Sequence, residues 1–278
     1  MKARTVKVHQ AGGPEVLKIE AHELPDPGQG EVTIRHTAIG FNFQDIYTRS
    51  GLYPAPMPTG LGTEAVGVVE KVGAGVTDFK VGDRVCYASG PVLGACATAR
   101  NYPVARLMKS PDFMKDEEIA AILLKGMTVE YLMNRCYPVQ KGQYVLMHAA
   151  AGGVGLLAGQ WGKHIGAHMI GVAGGADKVA LALQNGYEFC IDRKSEDIAA
   201  RVKEITGGAG VPVVYDSVGK DSFEASLNSL MPRGYFVSFG TTTGAPPPVA
   251  AGTLQKMGSL YFLSLIHISE PTRRTPIS

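Results

Sequence analysis

The feature that most limits how this chain can fold is one glycine-rich turn, Ala149-Ala150-Ala151-Gly152-Gly153-Val154-Gly155. It follows a short apolar run at 144–149, which reads as a strand, and opens a helical pattern over 154–165 that Gly166 stops. Strand, tight turn and helix in that order are the context that a dinucleotide-binding turn requires. Gly152 stands where backbone must approach a pyrophosphate, and Gly155 where the helix must pack closely on the strand. The helix N-terminus then offers free N–H groups and partial positive charge. Ala150 takes the place of the first fingerprint glycine, so a slightly altered turn is expected.

Strands and helices keep alternating beyond this turn. Strands are predicted at 169–173, 189–191, 212–216 and 235–239, with 259–262 as a sixth. Between them fall a helix ending near Asn185-Gly186, one from an N-cap at Ser195 through Ile205, and one over 222–230. Such alternation implies right-handed crossovers and a parallel, doubly wound sheet. The first ~120 residues differ, with short β-branched runs at 3–9, 16–21, 31–38, 66–72 and 83–88 between glycine and proline turns. They predict a mostly β, barrel-like domain, joined to the second half by a helix or helix pair over 117–135. The Pro-rich stretch 51–58 cannot hold a ladder and is expected as a surface loop. The whole is an α/β chain, and 278 residues suit two domains of about 150 each.

Composition excludes several function classes. A formal charge of +2 gives no footprint for nucleic acid or an anionic membrane. No apolar signal region opens the chain, and the longest apolar run, 119–124, is far short of the ~20 residues that span a bilayer. The four scattered cysteines contain no Cys-x-x-Cys pair, which fits a reducing, cytoplasmic location and argues against a structural zinc.

The end of the second strand reports on the cofactor. An NAD enzyme places an acid there for the ribose 2′-hydroxyl. This chain has Ala173-Gly174-Gly175, no acid until Asp177, then Lys178, with Arg193-Lys194 after the next strand. Small residues and cations suit the 2′-phosphate of NADPH; the alternative is that Lys178 and Arg193 are solvated surface cations.

Several stretches are specific together: Gly12-Gly13-Pro14-Glu15-Val16-Leu17, Asn42-Phe43-Gln44-Asp45, Arg49-Ser50-Gly51-Leu52-Tyr53-Pro54 and Gly60-Leu61-Gly62-Thr63-Glu64. Further on come Gly82-Asp83-Arg84-Val85, Leu124-Lys125-Gly126-Met127-Thr128, Val214-Tyr215-Asp216-Ser217-Val218-Gly219 and Val237-Ser238-Phe239-Gly240. Through them residues 1–262 resemble the medium-chain dehydrogenase/reductase superfamily, in particular the zinc-free quinone oxidoreductases related to zeta-crystallin. The resemblance implies a GroES-like catalytic domain over 1–122, a Rossmann NADP-binding domain over 123–262, and NADPH held in their cleft. It implies that Asn42, Asp45, Tyr47, Lys125 and Thr128 face the nicotinamide half, and that Gly152, Gly153 and Val154 hold the pyrophosphate. Gly174 and Lys178 would meet the adenosine phosphate, with Ser217, Phe239 and Gly240 at the ribose edge. Arg193 stands where the family often has tyrosine, and a guanidinium also contacts phosphate.

Zinc-dependent relatives need a cysteine near Asn42 and a histidine near Thr63, and an amide and a hydroxyl cannot replace them. His164 and His168 share a metal-like spacing, but Gly166 breaks the helix between them. Without a Lewis acid an alkoxide is poorly stabilised, whereas a quinone or enone spreads the incoming charge onto oxygen. Chemistry then rests on holding the reacting carbons roughly 3–3.5 Å apart. Tyr47 and Tyr53 either hydrogen-bond the acceptor oxygen or pack beneath the Pro-rich loop. The expected activity is NADPH-dependent quinone reduction, with Asn42, Asp45, Tyr47 and Tyr53 as the catalytic set. Alternatives are an alkenal or enone reductase, and a non-catalytic, crystallin-like NADPH-binding or RNA-binding protein, against which the absence of an aromatic–basic stripe argues.

After Phe262 the resemblance stops. Leu263-Ser264-Leu265-Ile266-His267-Ile268-Ser269-Glu270 and the residues that follow resemble one reading frame of a transposase-type sequencing adapter, so 263–278 are expected to be non-native. The family's homodimer forms through the edge strand here, so dimerisation is doubtful, and so are good expression and reductase activity of the chain as given.

Overall fold

Alternating inward and outward residues build the first half. β1 (Lys2–Val8) and β2 (Leu17–Glu23) form an antiparallel hairpin, and β1 also pairs with the two-residue β4 (Thr59–Gly60). A second sheet runs in the order β7 (Ala99–Pro103), β3 (Glu31–Gly40), β5 (Glu64–Val72), β6 (Arg84–Ala88), β8 (Met108–Lys109). A bridge between Thr5 and Ala97 and the bond from Val6 N to Cys96 O tie the two sheets together. Val32, Ile34, Ala65, Val69, Val85, Tyr87 and Tyr102 fill the core. This computed structural model describes residues 1–88 and 93–264. The described residues divide into two compact units, one up to Leu124 and one from Lys125 to Ser264.

Two parts of the first unit differ from the sequence reading. β7 lies outside the β-branched runs of the sequence, since Ala-Arg-Asn-Tyr-Pro contains no β-branched residue; Ala99, Arg100 and Tyr102 are nevertheless buried, with β7 paired to β3. α1 (Phe43–Ser50) is a helix that periodicity over so short a span does not reveal; Asn42 starts it, and Gly51 ends it at φ 83°. Residues 51–58 form the expected loop, with Pro54, Pro56 and Pro58 exposed.

α2 (Asp116–Glu130) opens with three acids, which suit the positive end of the helix dipole. It runs on as a π-helical turn, Tyr131–Cys136. The buried Tyr215 hydroxyl shares its proton between Leu132 O and Tyr137 O (3.0 and 3.1 Å), and Leu132 O also accepts from Tyr137 N at 3.2 Å, the bond that widens the turn.

The second unit holds six parallel strands: β9 (Tyr144–His148), β10 (His168–Ala173), β11 (Phe189–Asp192), β12 (Val211–Asp216), β13 (Leu230–Ser238) and β14 (Tyr261–Ser264). Their order is β11-β10-β9-β12-β13-β14, so the sheet reverses direction of growth between β9 and β12. The connecting helices are α3 (Gly153–Ile165), α4 (Ala176–Gln184), α5 (Ile198–Ile205), α6 (Phe223–Ser229) and α7 (Ala251–Lys256). Both faces are covered. Val129, Leu132, Met133, Ala158 and Ala182 pack on one, and Val202, Phe223 and Leu227 on the other. That is the doubly wound sheet expected from the alternation.

Two details correct the sequence reading. The N-cap of α5 is Asp197, whose side chain accepts from Ala200 N at 2.8 Å, while Ser195 sits in a preceding turn on Asp192 O. A carboxylate at the N-cap meets both the free amide and the dipole, and Asp outcompetes the upstream serine. The sixth strand also lies later than expected: β14 continues in register to Leu263 and Ser264, opposite Val237 and Ser238. The rest of the segment expected to be non-native, 265–278, lies outside the described residues.

Candidate functional site

The turn between β9 and α3 is shaped by close backbone approach. A Cβ at Gly155 would lie 2.4 Å from Ala149 O and 2.6 Å from Ala150 O, so only glycine lets α3 descend onto the strand. Tyr187 hydroxyl donates to Gly155 O at 2.7 Å and locks that approach. Gly152 N closes the turn on Ala149 O at 2.8 Å. The amides of Gly153 and Val154 lie in the first turn of α3, where a helix has no internal acceptor for them. The missing first glycine is compensated within the unit. Ala149 takes the left-handed conformation (φ 53°), and the buried Ala150 methyl fits because its neighbour across the sheet is Gly171, whose Cβ would lie 2.7 Å away. Lys125 lies across the same turn, its Cδ 2.7 Å from where a Gly153 Cβ would stand. Thr128, one helical turn on, is buried.

At the C-terminal end of β10 the backbone is bare. Arg193 crosses it, its Nε 3.2 Å from the position of a Gly174 Cβ, and the Lys194 Nζ lies 3.5 Å from that of Gly175 (φ 97°). Asp192 also stands at this end of the sheet, its Oδ1 accepting from Gly175 N and Lys194 N (2.8 and 3.0 Å). Those two amides hold its carboxyl below the usual carboxylate range. Lys178 is exposed in the first turn of α4. The structure therefore brings Gly174 and Arg193 together and adds Lys194, which the sequence offers only as a neighbour of Arg193.

On the other side of the switch point, Gly240 backs onto Ser217, where a Cβ would meet Ser217 O at 2.8 Å. Phe239 N donates to Asp216 O at 2.8 Å. Asp216 is fully buried and collects Val218 N, Gly219 N and Ser222 Oγ on Oδ1 (2.8, 3.0 and 2.9 Å) and Ser226 Oγ on Oδ2 (2.7 Å). With its proton on Asp216, Ser226 Oγ accepts from His148 Nε2 at 2.9 Å. Burial pushes the His148 imidazole below its ordinary pKa, so the ring is neutral with the proton on Nε2. Sequence reasoning missed this network; the Asp ending β12 and the His ending β9 were its only local signals.

In the first unit the predicted catalytic residues cluster on α1. Asn42 N donates to Asp45 Oδ2 (2.9 Å), and Gly62 N donates to Asp45 Oδ1 (3.0 Å). The Asn42 amide donates to the buried Glu64 Oε1 (2.7 Å), whose Oε2 accepts from Leu124 N (2.8 Å). Asp45 is thus a buried anchor for backbone amides. Tyr47 and Tyr53 are half-buried, their rings 5.1 Å apart, and Phe43 extends the aromatic strip at 6.2 Å from Tyr47. Burial pushes the Tyr53 phenol up, which keeps it a donor. Thr63 is buried with no hydrogen-bond partner for Oγ1. Among the described residues no group of three or more His, Cys, Asp or Glu side chains could hold a metal.

A GroES-like unit followed by a dinucleotide-binding sheet defines a medium-chain dehydrogenase/reductase. Residues 28–131 match the family model described as alcohol dehydrogenase GroES-like domain, and 153–268 the one described as zinc-binding dehydrogenase. A quinone oxidoreductase of Pseudomonas aeruginosa is 48% identical over 260 residues, 93% of this chain and 80% of the relative. A 2-haloacrylate reductase of Burkholderia sp is 43% identical over 91% of this chain and 78% of its own length. The crystal structure of Escherichia coli quinone oxidoreductase complexed with NADPH superimposes with a TM-score of 0.91 at 47% identity, covering 94% of this chain and 80% of the other. The chain belongs to the quinone oxidoreductase family.

Proposed function

We propose that this chain is an NADPH-dependent reductase of quinones. The observation that carries the reading is the pair of cations, Arg193 and Lys194, lying over the bare Gly174-Gly175 backbone on one side of a glycine turn that admits a diphosphate. When bound, NADPH supplies a hydride from the nicotinamide. The amides of Gly153 and Val154 and the Lys125 ammonium receive the diphosphate, while Arg193, Lys194 and Lys178 receive the 2′-phosphate. Asn42 and Asp45 fix the first turn of α1, and from that helix and its following loop the Tyr47 and Tyr53 phenols hydrogen-bond the acceptor oxygen as charge builds on it. Asn42 and Thr63 offer an amide and a hydroxyl, so the chemistry assigned here uses no zinc.

The test is steady-state oxidation of NADPH and of NADH with 1,4-benzoquinone as acceptor. NADPH is expected to be preferred at least tenfold in kcat/KM, in line with the strength of charge-assisted hydrogen bonds. Equal use of the two cofactors, or no quinone-dependent oxidation, overturns the reading. The 43% identity to a 2-haloacrylate reductase supports a second one, reduction of a double bond conjugated to a carboxylate; turnover of 2-chloroacrylate above that of benzoquinone decides for it. The four free thiols suit a reducing compartment such as the cytoplasm, and no helix among the described residues is long and apolar enough to cross a membrane.

A further inference from the structure

The loop after β12 is held from two sides. From within, Asp216 gathers Val218 N, Gly219 N and Ser222 Oγ, as described above. From outside, the loop after β13 closes over it. Thr242 donates to Ser217 O through both N (3.2 Å) and Oγ1 (2.9 Å). Thr243 does the same to Val218 O, at 2.9 and 3.0 Å, and its Oγ1 accepts from Asp221 N at 3.1 Å. Lys220 N reaches Gly244 O at 3.0 Å, and a Cβ at Gly219 would lie 2.2 Å from that same carbonyl. Two exposed threonines thus spend both hydroxyls and both amides on consecutive carbonyls of a neighbouring loop. None of these bonds uses the hydroxyl of the half-buried Ser217.

The sheet order says which part of a ligand this clamp serves. A dinucleotide lies across the switch point, here between β9 and β12, with its two nucleosides on opposite sides. Gly174, Arg193 and Lys194 mark the β10–β11 side as the adenosine side. The Ser217 loop therefore lies on the nicotinamide side. We infer that Thr242 and Thr243 are positioning residues that hold Ser217, with its hydroxyl left for the ligand, at the nicotinamide ribose. The inference rests on the NADPH reading above.

The test compares affinities for NADPH and for 2′-phospho-ADP, which lacks the nicotinamide nucleoside, ribose included, by tryptophan fluorescence and calorimetry. Thr242→Val with Thr243→Val removes two hydroxyls and keeps the backbone bonds. At roughly a few-fold per neutral hydrogen bond, NADPH is expected to bind about tenfold more weakly, while the fragment keeps its affinity within about twofold. Serine at both positions is expected to restore NADPH binding, and each single valine variant to show about a threefold loss, which keeps the test alive if the double variant does not fold. Unchanged NADPH affinity, equal weakening of both ligands, or no recovery with serine overturns the inference. An unaltered protein that binds the fragment but not NADPH overturns it too, and one that binds neither overturns the functional reading itself.

Discussion

At Gly155 and Gly171 single hydrogens decide what the second unit can bind. The Gly155 position stands against two carbonyl oxygens that cannot move without disturbing β9, so Gly155→Ala is expected to lose NADPH affinity and about 1–3 kcal/mol of stability, the usual cost of overpacking, in chemical denaturation. Ala150→Gly, by contrast, leaves a gap against Gly171 and adds unfolded-state freedom, so it lowers stability by about 1 kcal/mol while cofactor binding persists. The fingerprint is therefore met by a different distribution of small residues. At the adenosine end, Arg193→Ala with Lys194→Ala removes two cations from bare backbone. Charge-assisted bonds contribute about 1.5–3 kcal/mol each, so the NADPH KM is expected to rise at least tenfold, with the NADH KM unchanged. A parallel rise with both cofactors would place these cations away from the 2′-phosphate.

Strands and helices that came out of the sequence carried their own pattern; those that did not are held by distant partners. β9 to β13 are apolar runs next to turn residues, so alternation with helices disclosed the sheet and its crossovers. β7 is held by β3, nearly seventy residues away in sequence, and its polar residues conceal it. His36 shows how such pairing acquires chemistry. On β3, its Nδ1 donates to Ala97 O at 2.7 Å, and its Nε2 accepts from the Tyr87 hydroxyl of β6 at 2.9 Å. Burial, with help from Arg100, pushes its pKa down to about 4 from 6.5. Between those values the unfolded chain takes up a proton that the folded one refuses, so this contribution is intact above pH 6.5 and lost as pH falls toward 4. The shift corresponds to up to about 3 kcal/mol. His148 is displaced in the same direction and adds to the acid sensitivity. Denaturation midpoints of the parent and of His36→Gln between pH 7 and 4 check this: the variant is less stable at pH 7 but loses less on acidification. Parallel pH profiles would remove His36 as the cause.

Across the whole chain, the sequence disclosed the class of fold and the glycine turn, because both are written in local order. It did not disclose the fixed orientations. His148 and Ser226 are 78 residues apart, and Glu64 reaches Leu124 over 60; no local pattern predicts that such groups meet. The same separation of scales bears on metal. A family model described as zinc-binding dehydrogenase matches 153–268, yet a shared backbone carries no metal chemistry unless the donors are present. In the first unit the amide of Asn42 is committed to Glu64, and both Glu64 oxygens accept N–H groups. Thr63, next to it, offers a hydroxyl. A zinc tetrahedron needs thiolate, imidazole or carboxylate donors free to converge, and these three positions supply none. Exhaustive EDTA treatment is therefore expected to leave benzoquinone-dependent NADPH oxidation unchanged, and elemental analysis of the purified protein to find far less than one zinc per chain. Activity that disappears on chelation and returns with added zinc would show that residues other than Asn42, Thr63 and Glu64 assemble a metal site, and would return alcohol oxidation to consideration.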